Sequence, residues 1–296
     1  MDAAVDAELL RREVIAATLR VRAEELGGAI SLAELSDFEL PDGTRQRLFD
    51  PGKGGIWNPK DFVATLAIVT SPDGPYADRE SGGLLTYSYQ KGPEGGKNLK
   101  LRRALELNLP VIRFNKIAPN YYAPIYPVYV VGDNPITREF TLTVDEAIRA
   151  IPSAEMSPIE KLYAARIVQQ RVHQPAFRAR VMLAYDRQCT VCDLKHVELL
   201  DAAHIIEDSS EQGAPEVTNG LSLCKIHHAA YDRKFLGISP DYVVRINKPL
   251  LAEVDGPMLK HGIQEMHGRP LSLPAAKKDR PDPDRLAERF DIFMAG

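Results

Sequence analysis

The sequence predicts an α+β protein with its parts segregated along the chain. An N-terminal curved sheet or open barrel with helices is followed by a helical connector and a C-terminal domain of two strands and a helix. Three observations predict this. From Trp57 the first half is rich in segments of β-branched and aromatic residues, helical periodicity dominates the stretch after them, and all three cysteines fall within residues 189–224. At 296 residues the chain is long enough for two domains with cores of their own. The boundaries read from these shifts are 1–150, 151–187 and 188–296.

The first domain opens on a helix: Leu9, Leu10, Ile15 and Leu19 recur at helical spacing and Gly27-Gly28 ends the pattern. Pro41, Gly43, Pro51, Gly52, Gly54 and Gly55 then break the chain into a loop-rich entry. FVATLAIVT, GGLLTYSYQ, LPVIRFNKI and YPVYVVGD read as strands, and GGKNLKLRRALELN between them as a helix. TVDEAIRAIP reads as a short helix closed by Pro152. In the connector, Ser157, Pro158 and Glu160 carry the signature of a capping box with proline at the first helical position. Pro175 is expected to break that helix. After Asp232 come a hairpin (FLGISPDYVVRINKPLL), a proline-rich tail and the short helix DRLAERFDIF.

With 44% hydrophobic and 26% charged residues, the composition is that of a folded globular chain. There is no apolar run of about eighteen residues, and the N-terminus (MDAAVDAELLRREV) is acidic and helical rather than a signal peptide. A cytoplasmic location is the expectation, and cysteines there point to metal binding rather than to disulfides. The net charge of −4 argues against an indiscriminate polycationic nucleic-acid binder. Two segments are nevertheless locally basic: residues 97–116 hold six Lys/Arg against Glu106 alone, and residues 161–187 six against Asp186 alone. A local positive surface is what phosphate contact requires.

The chemistry is concentrated in residues 189–232. Cys189-x-x-Cys192 is followed by Cys224-x-x-His227. One such pair is weak evidence, but the repeated spacing supplies four ligands for a tetrahedral structural Zn²⁺. The 31 residues between the pairs exceed finger spacing, so the zinc would be a staple around an insertion. Within it, HVELLDAAHII is a strand carrying His204, EDSSEQGAPEVT a turn-rich loop, and NGLSLC a second strand. A helix begins near Lys225, and on it His228, Tyr231 and Asp232 share a face at i, i+3 and i+4.

This order resembles the HNH, or ββα-metal, nuclease motif. The matching residues are Asp201-Ala-Ala-His204, Asn219-Gly-Leu-x-Leu and His228-x-x-Tyr-Asp, and the tail GRPLSLPAAKKDRPDPDRL is similar to the segment C-terminal to the motif in that group. The resemblance covers roughly residues 188–293. It implies phosphodiester hydrolysis in which His204 is the general base. Asp201 and His228 would hold one divalent cation, Mg²⁺ or Mn²⁺, and Asn219 would clamp the loop and orient the His204 ring. Spacing assigns His227 to the zinc and His228 to catalysis. Strict alternation puts Asp201 and His204 on opposite faces, so the strand has to end or bulge at the site.

The segment PYADRESGGLLTYSYQKGPEGGKNLKLRRALELNLPVIRF is similar to SRA domains, which flip 5-methylcytosine out of the duplex. The counterparts are Tyr76-Ala-Asp78, Gly82-Gly83, Thr86-Tyr87, Gly95-Gly96, Asn98-Leu-x-Leu101 and Pro110-Val-Ile-Arg113. The resemblance implies that Tyr76 and Tyr87 wall the flipped base, that Asp78 accepts from the cytosine N4 amine, and that Lys97, Lys100, Arg102 and Arg103 contact phosphates. Together the halves resemble SRA–HNH modification-dependent (type IV) restriction endonucleases of bacteria. That implies double-stranded DNA with 5-methylcytosine or 5-hydroxymethylcytosine as partner. It also implies a homodimer, because one HNH site nicks one strand. Two other readings stay open from the residues: a nuclease directed to phosphorothioate, a damaged base or a specific sequence, and a zinc-stapled reader that does not cut.

Overall fold

The computed structural model describes residues 3–71, 80–81, 83–90, 96–149, 156–208, 210 and 213–295. The chain divides into two units, Met1–Ala176 and Phe177–Gly296.

The first unit is organised on a mixed sheet of eight strands. In chain order they are β1 (Ile30–Ser31), β2 (Ile56–Trp57), β3 (Ala67–Thr70), β4 (Glu80–Ser81), β5 (Leu84–Ser88), β6 (Val111–Ala118), β7 (Tyr121–Asn134) and β8 (Glu139–Thr143). Across the sheet they lie β2-β3-β6-β7-β8-β5-β4, with β1 on β7. The β3–β6 pair is parallel and the others are antiparallel. The sheet curls into a half-barrel, and the 14-residue β7 is the strand that turns it. Its register slips against β6 at Val111/Arg113 and Lys116/Ala118, and against β8 at Thr141/Leu142. Such irregularities add bend and twist.

The run VIRF in β6 is buried throughout, so this strand is covered on both faces. Val111 packs in a core with Leu101 and Ala104 of α2 (Lys97–Glu106), whereas Ile112 and Phe114 pack with Ile15 and Leu19 of α1 (Ala3–Glu25). Gly27 and Gly28 follow α1 with φ of 74° and 96°, and the Gly28 N–H bonds the Ala23 carbonyl at 2.7 Å. The anchor of α1 is a fully buried arginine that hydrophobic periodicity does not reveal. Arg12 donates to Glu8 (2.6 Å) and to the carbonyls of Ala64 (3.1 Å), Thr65 (2.8 Å) and Pro110 (2.7 Å). A buried guanidinium is tolerated only with such partners.

Two expectations need correction. Strand β8 has no counterpart among the strands read from sequence, because EFTLT alternates for only five residues before the helical pattern of TVDEAIRAIP takes over. In the connector, the capping box at Ser157 and Glu160 opens α3 (Pro158–Val168), but Pro175 does not break the chain. A π-helical turn, Gln169–His173, carries α3 into α4 (Gln174–Ala184). The widened turn accommodates a residue that has no N–H to give. The division between units falls inside α4.

The second unit contains β9 (Leu200–His204), β10 (Gly220–Cys224), α5 (Lys225–Asp232), the hairpin of β11 (Leu236–Ile238) with β12 (Val244–Ile246), and α6 (Pro283–Ala295). Val181, Met182 and Tyr185 of α4 pack with Leu200, Leu221, Leu223, Tyr231, Ile238 and Leu286 in its core. The architecture is α+β, as the sequence predicts. Among the described residues no helix is long and apolar enough to cross a membrane.

Candidate active site and metal centre

Strands β9 and β10 are antiparallel, paired from Leu200↔Cys224 to His204↔Gly220 without a slip. There is no bulge: the strand ends at His204, and α5 starts directly after Cys224. Asn219 closes the long connection between the strands. Its side chain accepts from the Ile206 N–H (2.9 Å) and donates to the carbonyls of Ile206 (2.9 Å) and Ala214 (3.2 Å). Its own carbonyl accepts from the Ile205 N–H at 2.9 Å. The residue is fully buried, so these bonds replace water entirely. It holds the two residues that follow His204 rather than the imidazole itself.

The His204 ring stacks on Phe177 with centroids 4.0 Å apart and planes 16° from parallel. Its Nε2 is enclosed and makes no hydrogen bond among the described residues. Burial holds the imidazole below its ordinary pKa of 6.5; Asp208 opposes the shift and the charge on His228 adds to it. Gly220, the strand partner of His204, makes the stack possible: a Cβ there would lie 2.5 Å from Val181 and 3.0 Å from the Phe177 ring.

Asp201 lies at the junction of β9 with α5. Its Oδ2 is 3.2 Å from His228 Nδ1, and its Oδ1 accepts from Lys225 Nζ at 2.5 Å. Arg178 is 3.8 Å from the same Oδ1 while donating to the carbonyls of Leu200 (2.6 Å) and Val197 (3.2 Å). Burial raises the Asp201 pKa, but Lys225 and His228 outweigh it and leave the carboxyl below its usual range. On the far side of the imidazole, His228 Nε2 is 3.4 Å from Asp232 Oδ2. Nδ1 faces Asp201 and Nε2 faces Asp232, and in the tautomer protonated at Nε2 the Nδ1 lone pair lies beside Asp201. Adjacent ligands of an octahedral cation with bonds of about 2.0–2.1 Å sit roughly 3 Å apart, so this pair fits a divalent ion.

The second centre lies on the other side of α5. The donor atoms of Cys189, Cys192, Cys224 and His227 all lie within 4.8 Å of one another. His227 Nδ1 is 3.5 Å from the Cys189 sulfur and 3.2 Å from that of Cys224. A tetrahedron with Zn–S near 2.3 Å and Zn–N near 2.0 Å has edges of about 3.5–3.8 Å, so the set fits zinc. The Nε2–H of His227 donates to the Gly262 carbonyl (2.8 Å), which fixes Nδ1 as the ligand nitrogen. Hydrogen bonds from Cys189 and Cys192 push the Cys224 thiol down despite burial, while hydrogen bonds to Cys189 and Cys224 push the Cys192 thiol up, so Cys224 is the thiol of the pair that gives up its proton first. Successive helix residues point about 100° apart, and the adjacent histidines accordingly serve different clusters.

Sequence reasoning does not single out Lys225, Phe177 or Arg178. Lys225 has a signal, since it lies three residues before His228 on the same helix. Phe177 and Arg178 have none beyond membership of a basic stretch, because they reach the site from an earlier helix through packing.

In the first unit, Tyr76 and Asp78 lie outside the described residues, as do Gly82 and Gly95. Tyr87 on β5 is buried, with its hydroxyl donating to the Gly55 carbonyl at 3.0 Å. The Asn98 side chain accepts from the Gln90 N–H (3.0 Å) and donates to the Gln90 carbonyl (3.1 Å). Lys100 donates to the carbonyls of Pro59 (2.9 Å) and Phe62 (2.5 Å), and Arg102 to Asp133 (2.5 Å) and the Tyr89 hydroxyl (3.2 Å). Arg103 is exposed beside Glu106 at 2.8 Å, and Lys97 lies in the first turn of α2.

Residues 189–239 match the HNH endonuclease family, and the second unit therefore carries an HNH endonuclease domain. Among solved structures the chain is similar to the modification-dependent TagI restriction endonuclease, at 18% identity and a TM-score of 0.29, covering 80% of this chain and 84% of that one. It is also similar to the type IV phosphorothioation-dependent restriction endonuclease ScoMcrA, at 16% identity and a TM-score of 0.23, covering 60% of this chain and 47% of that one. No curated protein sequence matches it.

Proposed function

We propose that the chain is a modification-dependent DNA endonuclease. Its second unit hydrolyses the phosphodiester bond, and its first takes up a flipped 5-methylcytosine or 5-hydroxymethylcytosine. The observation that carries the reading is the HNH domain's own geometry. Asp201 and His228 are paired at 3.2 Å, and His204, at the end of the same strand as Asp201, has its pKa lowered.

His204 accepts the proton of the attacking water at Nδ1, because Nε2 is enclosed. Phe177 holds the plane of the ring, and Asn219 holds the backbone just beyond it. Asp201 and His228 hold one divalent cation, Mg²⁺ or Mn²⁺, which supplies charge stabilisation at the scissile phosphate and the leaving 3′ oxygen. Lys225 occupies the second oxygen of Asp201 and directs the first toward His228. The Cys₃His centre holds a structural Zn²⁺ that fixes the start of α5, and with it His228.

For the target, the support is the sequence pattern of Tyr76, Asp78 and Tyr87, with Tyr87 on a curled sheet flanked by α2. Tyr76 and Tyr87 provide π-faces, and Asp78 provides an acceptor for the N4 amine that thymine lacks. Of the basic cluster, Lys97 and Arg103 carry the charges least committed to the fold and are the first candidates for phosphate contact. Lys100 and Arg102 add positive potential while holding α2. A homodimer is supported by an exposed apolar face of α3, where Ile159, Leu162 and Tyr163 are 78%, 73% and 50% accessible.

The test of the nuclease reading is His204→Ala assayed with Mg²⁺ or Mn²⁺. Loss of cleavage with DNA binding retained is the expected outcome, and undiminished cleavage sinks the assignment.

A further inference from the structure

The C-terminal tail builds a cleft that the proposed chemistry leaves unused. It has a volume of about 470 Å³ and is lined by Thr218, Tyr242, Lys277, Lys278, Arg280 and Asp282, with two prolines. We infer that this cleft is a DNA-backbone subsite, gripping two adjacent phosphates a few nucleotides from the scissile bond. The inference rests on the endonuclease reading above.

Charge is the first argument. Lys277 and Lys278 are exposed, and among the described residues neither has an ion-pair partner. Arg280 uses Nε on the Pro274 carbonyl at 3.2 Å, and its terminal nitrogens make no bond among those residues. The acid in the wall is already engaged: Asp282 accepts from the N–H groups of Asp284 (2.8 Å) and Arg285 (3.4 Å) at the start of α6. Three cations therefore line an open polar cleft against the single carboxylate of Asp282, a net positive wall. A phosphodiester chain is the ligand class that matches.

Attachment is the second argument. A phosphate subsite is useful to a nuclease only if it is fixed relative to the reacting bond. Here the Asp282 N–H bonds the Thr218 carbonyl (2.9 Å), and Arg285 reaches the Thr218 hydroxyl (3.2 Å) and Glu216 (3.3 Å). Tyr242 donates to the Pro281 carbonyl at 3.0 Å. The tail is thus tied to the turn Val217–Asn219, which leads directly into Gly220, the strand partner of His204. Two residues span at most about 7 Å and a strand pair about 5 Å. Thr218 and the general base are therefore separated by no more than about 12 Å. Phosphates repeat every ~3.4 Å of axis along a strand, so one duplex reaches both.

The test is binding of the full chain to a fluorescent duplex, without added divalent cation, across a salt series. Lys277→Ala/Lys278→Ala is compared with wild type on methylated and unmethylated DNA. Each lost phosphate contact lowers the slope of log K against log salt by about 0.9, so the double variant is expected to be shallower by about 1.8. Between about 50 and 200 mM salt, wild type then loses roughly 10-fold more affinity than the variant. The loss is equal on both duplexes, because a backbone contact reads no base. Lys277→Arg/Lys278→Arg keeps the wild-type slope, and all variants keep the wild-type melting temperature, since both side chains are exposed. Wild-type binding with an unchanged slope in the alanine variant overturns the subsite alone. Failure of wild type to bind or cut any DNA overturns the endonuclease reading and the subsite with it. Competition by free mononucleotide at the affinity of duplex assigns the cleft to a small ligand and overturns the inference.

Discussion

His204 carries the sharpest residue-level consequences. Replacing a general base costs typically 10²–10⁴-fold, so His204→Ala is expected to lower kcat by at least about 100-fold while leaving duplex affinity near wild type, as gel shift would show. Its pKa is held below 6.5 by burial and by His228. The neutral, working form therefore persists below pH 6.5, and the acid limb of kcat/KM falls below that value. Asp208 raises the same pKa, so Asp208→Asn moves the limb further down; an upward move contradicts this assignment of charges. The resemblance to the HNH motif picks out Asp201, His204, Asn219 and His228 as candidates, because a ββα site draws them from one continuous stretch. Phe177 and Arg178 stay invisible to spacing. They act through packing across more than twenty residues of chain, and nothing in a helix's periodicity says which side chain will stack on a later imidazole.

At the scale of elements, the β9–β10 pair is held against α4 by the absence of a side chain. Gly220→Ala places a methyl 2.5 Å from Val181 and 3.0 Å from Phe177. Overpacking of this kind typically costs 1–3 kcal/mol, and here it displaces the ring that orients His204. Cleavage is expected to fall by more than the lowered stability accounts for, measured as kcat at a temperature well below melting. The proposed zinc staple acts on α5. Structural zinc contributes about 10–16 kcal/mol in small domains, comparable to the whole stability of a domain. Cys189→Ser is accordingly expected to abolish retention of about one zinc per chain and the cooperative melting of the second unit. Wild-type protein that retains no zinc after mild chelation contradicts the staple. Most elements are readable from pattern, including the capped α3 and the tail helix. Strand β8 and the uninterrupted path past Pro175 are not, because one is settled by pairing with β5 and β7 and the other by a π-helical turn. Local propensity specifies neither.

On the scale of the whole molecule, cutting and choosing are separate tasks. The proposed site of Asp201, His204 and His228 addresses features common to every phosphodiester, and so does the inferred basic cleft at Lys277 and Lys278. The proposal therefore assigns discrimination among DNA molecules to the first unit, whose curled sheet carries Tyr87 and whose sequence pattern includes Tyr76 and Asp78. Tyr76→Ala is expected to reduce cutting of methylated DNA by at least about 5-fold, since base–aromatic stacking contributes about 1–3 kcal/mol, while zinc content stays unchanged. The most direct measurement is digestion of one plasmid in two forms, with and without 5-methylcytosine, at equal concentration and with Mg²⁺ or Mn²⁺. The account predicts rapid cleavage of the methylated form, little of the unmethylated form, and neither with His204→Ala. Equal rates on the two forms would contradict it.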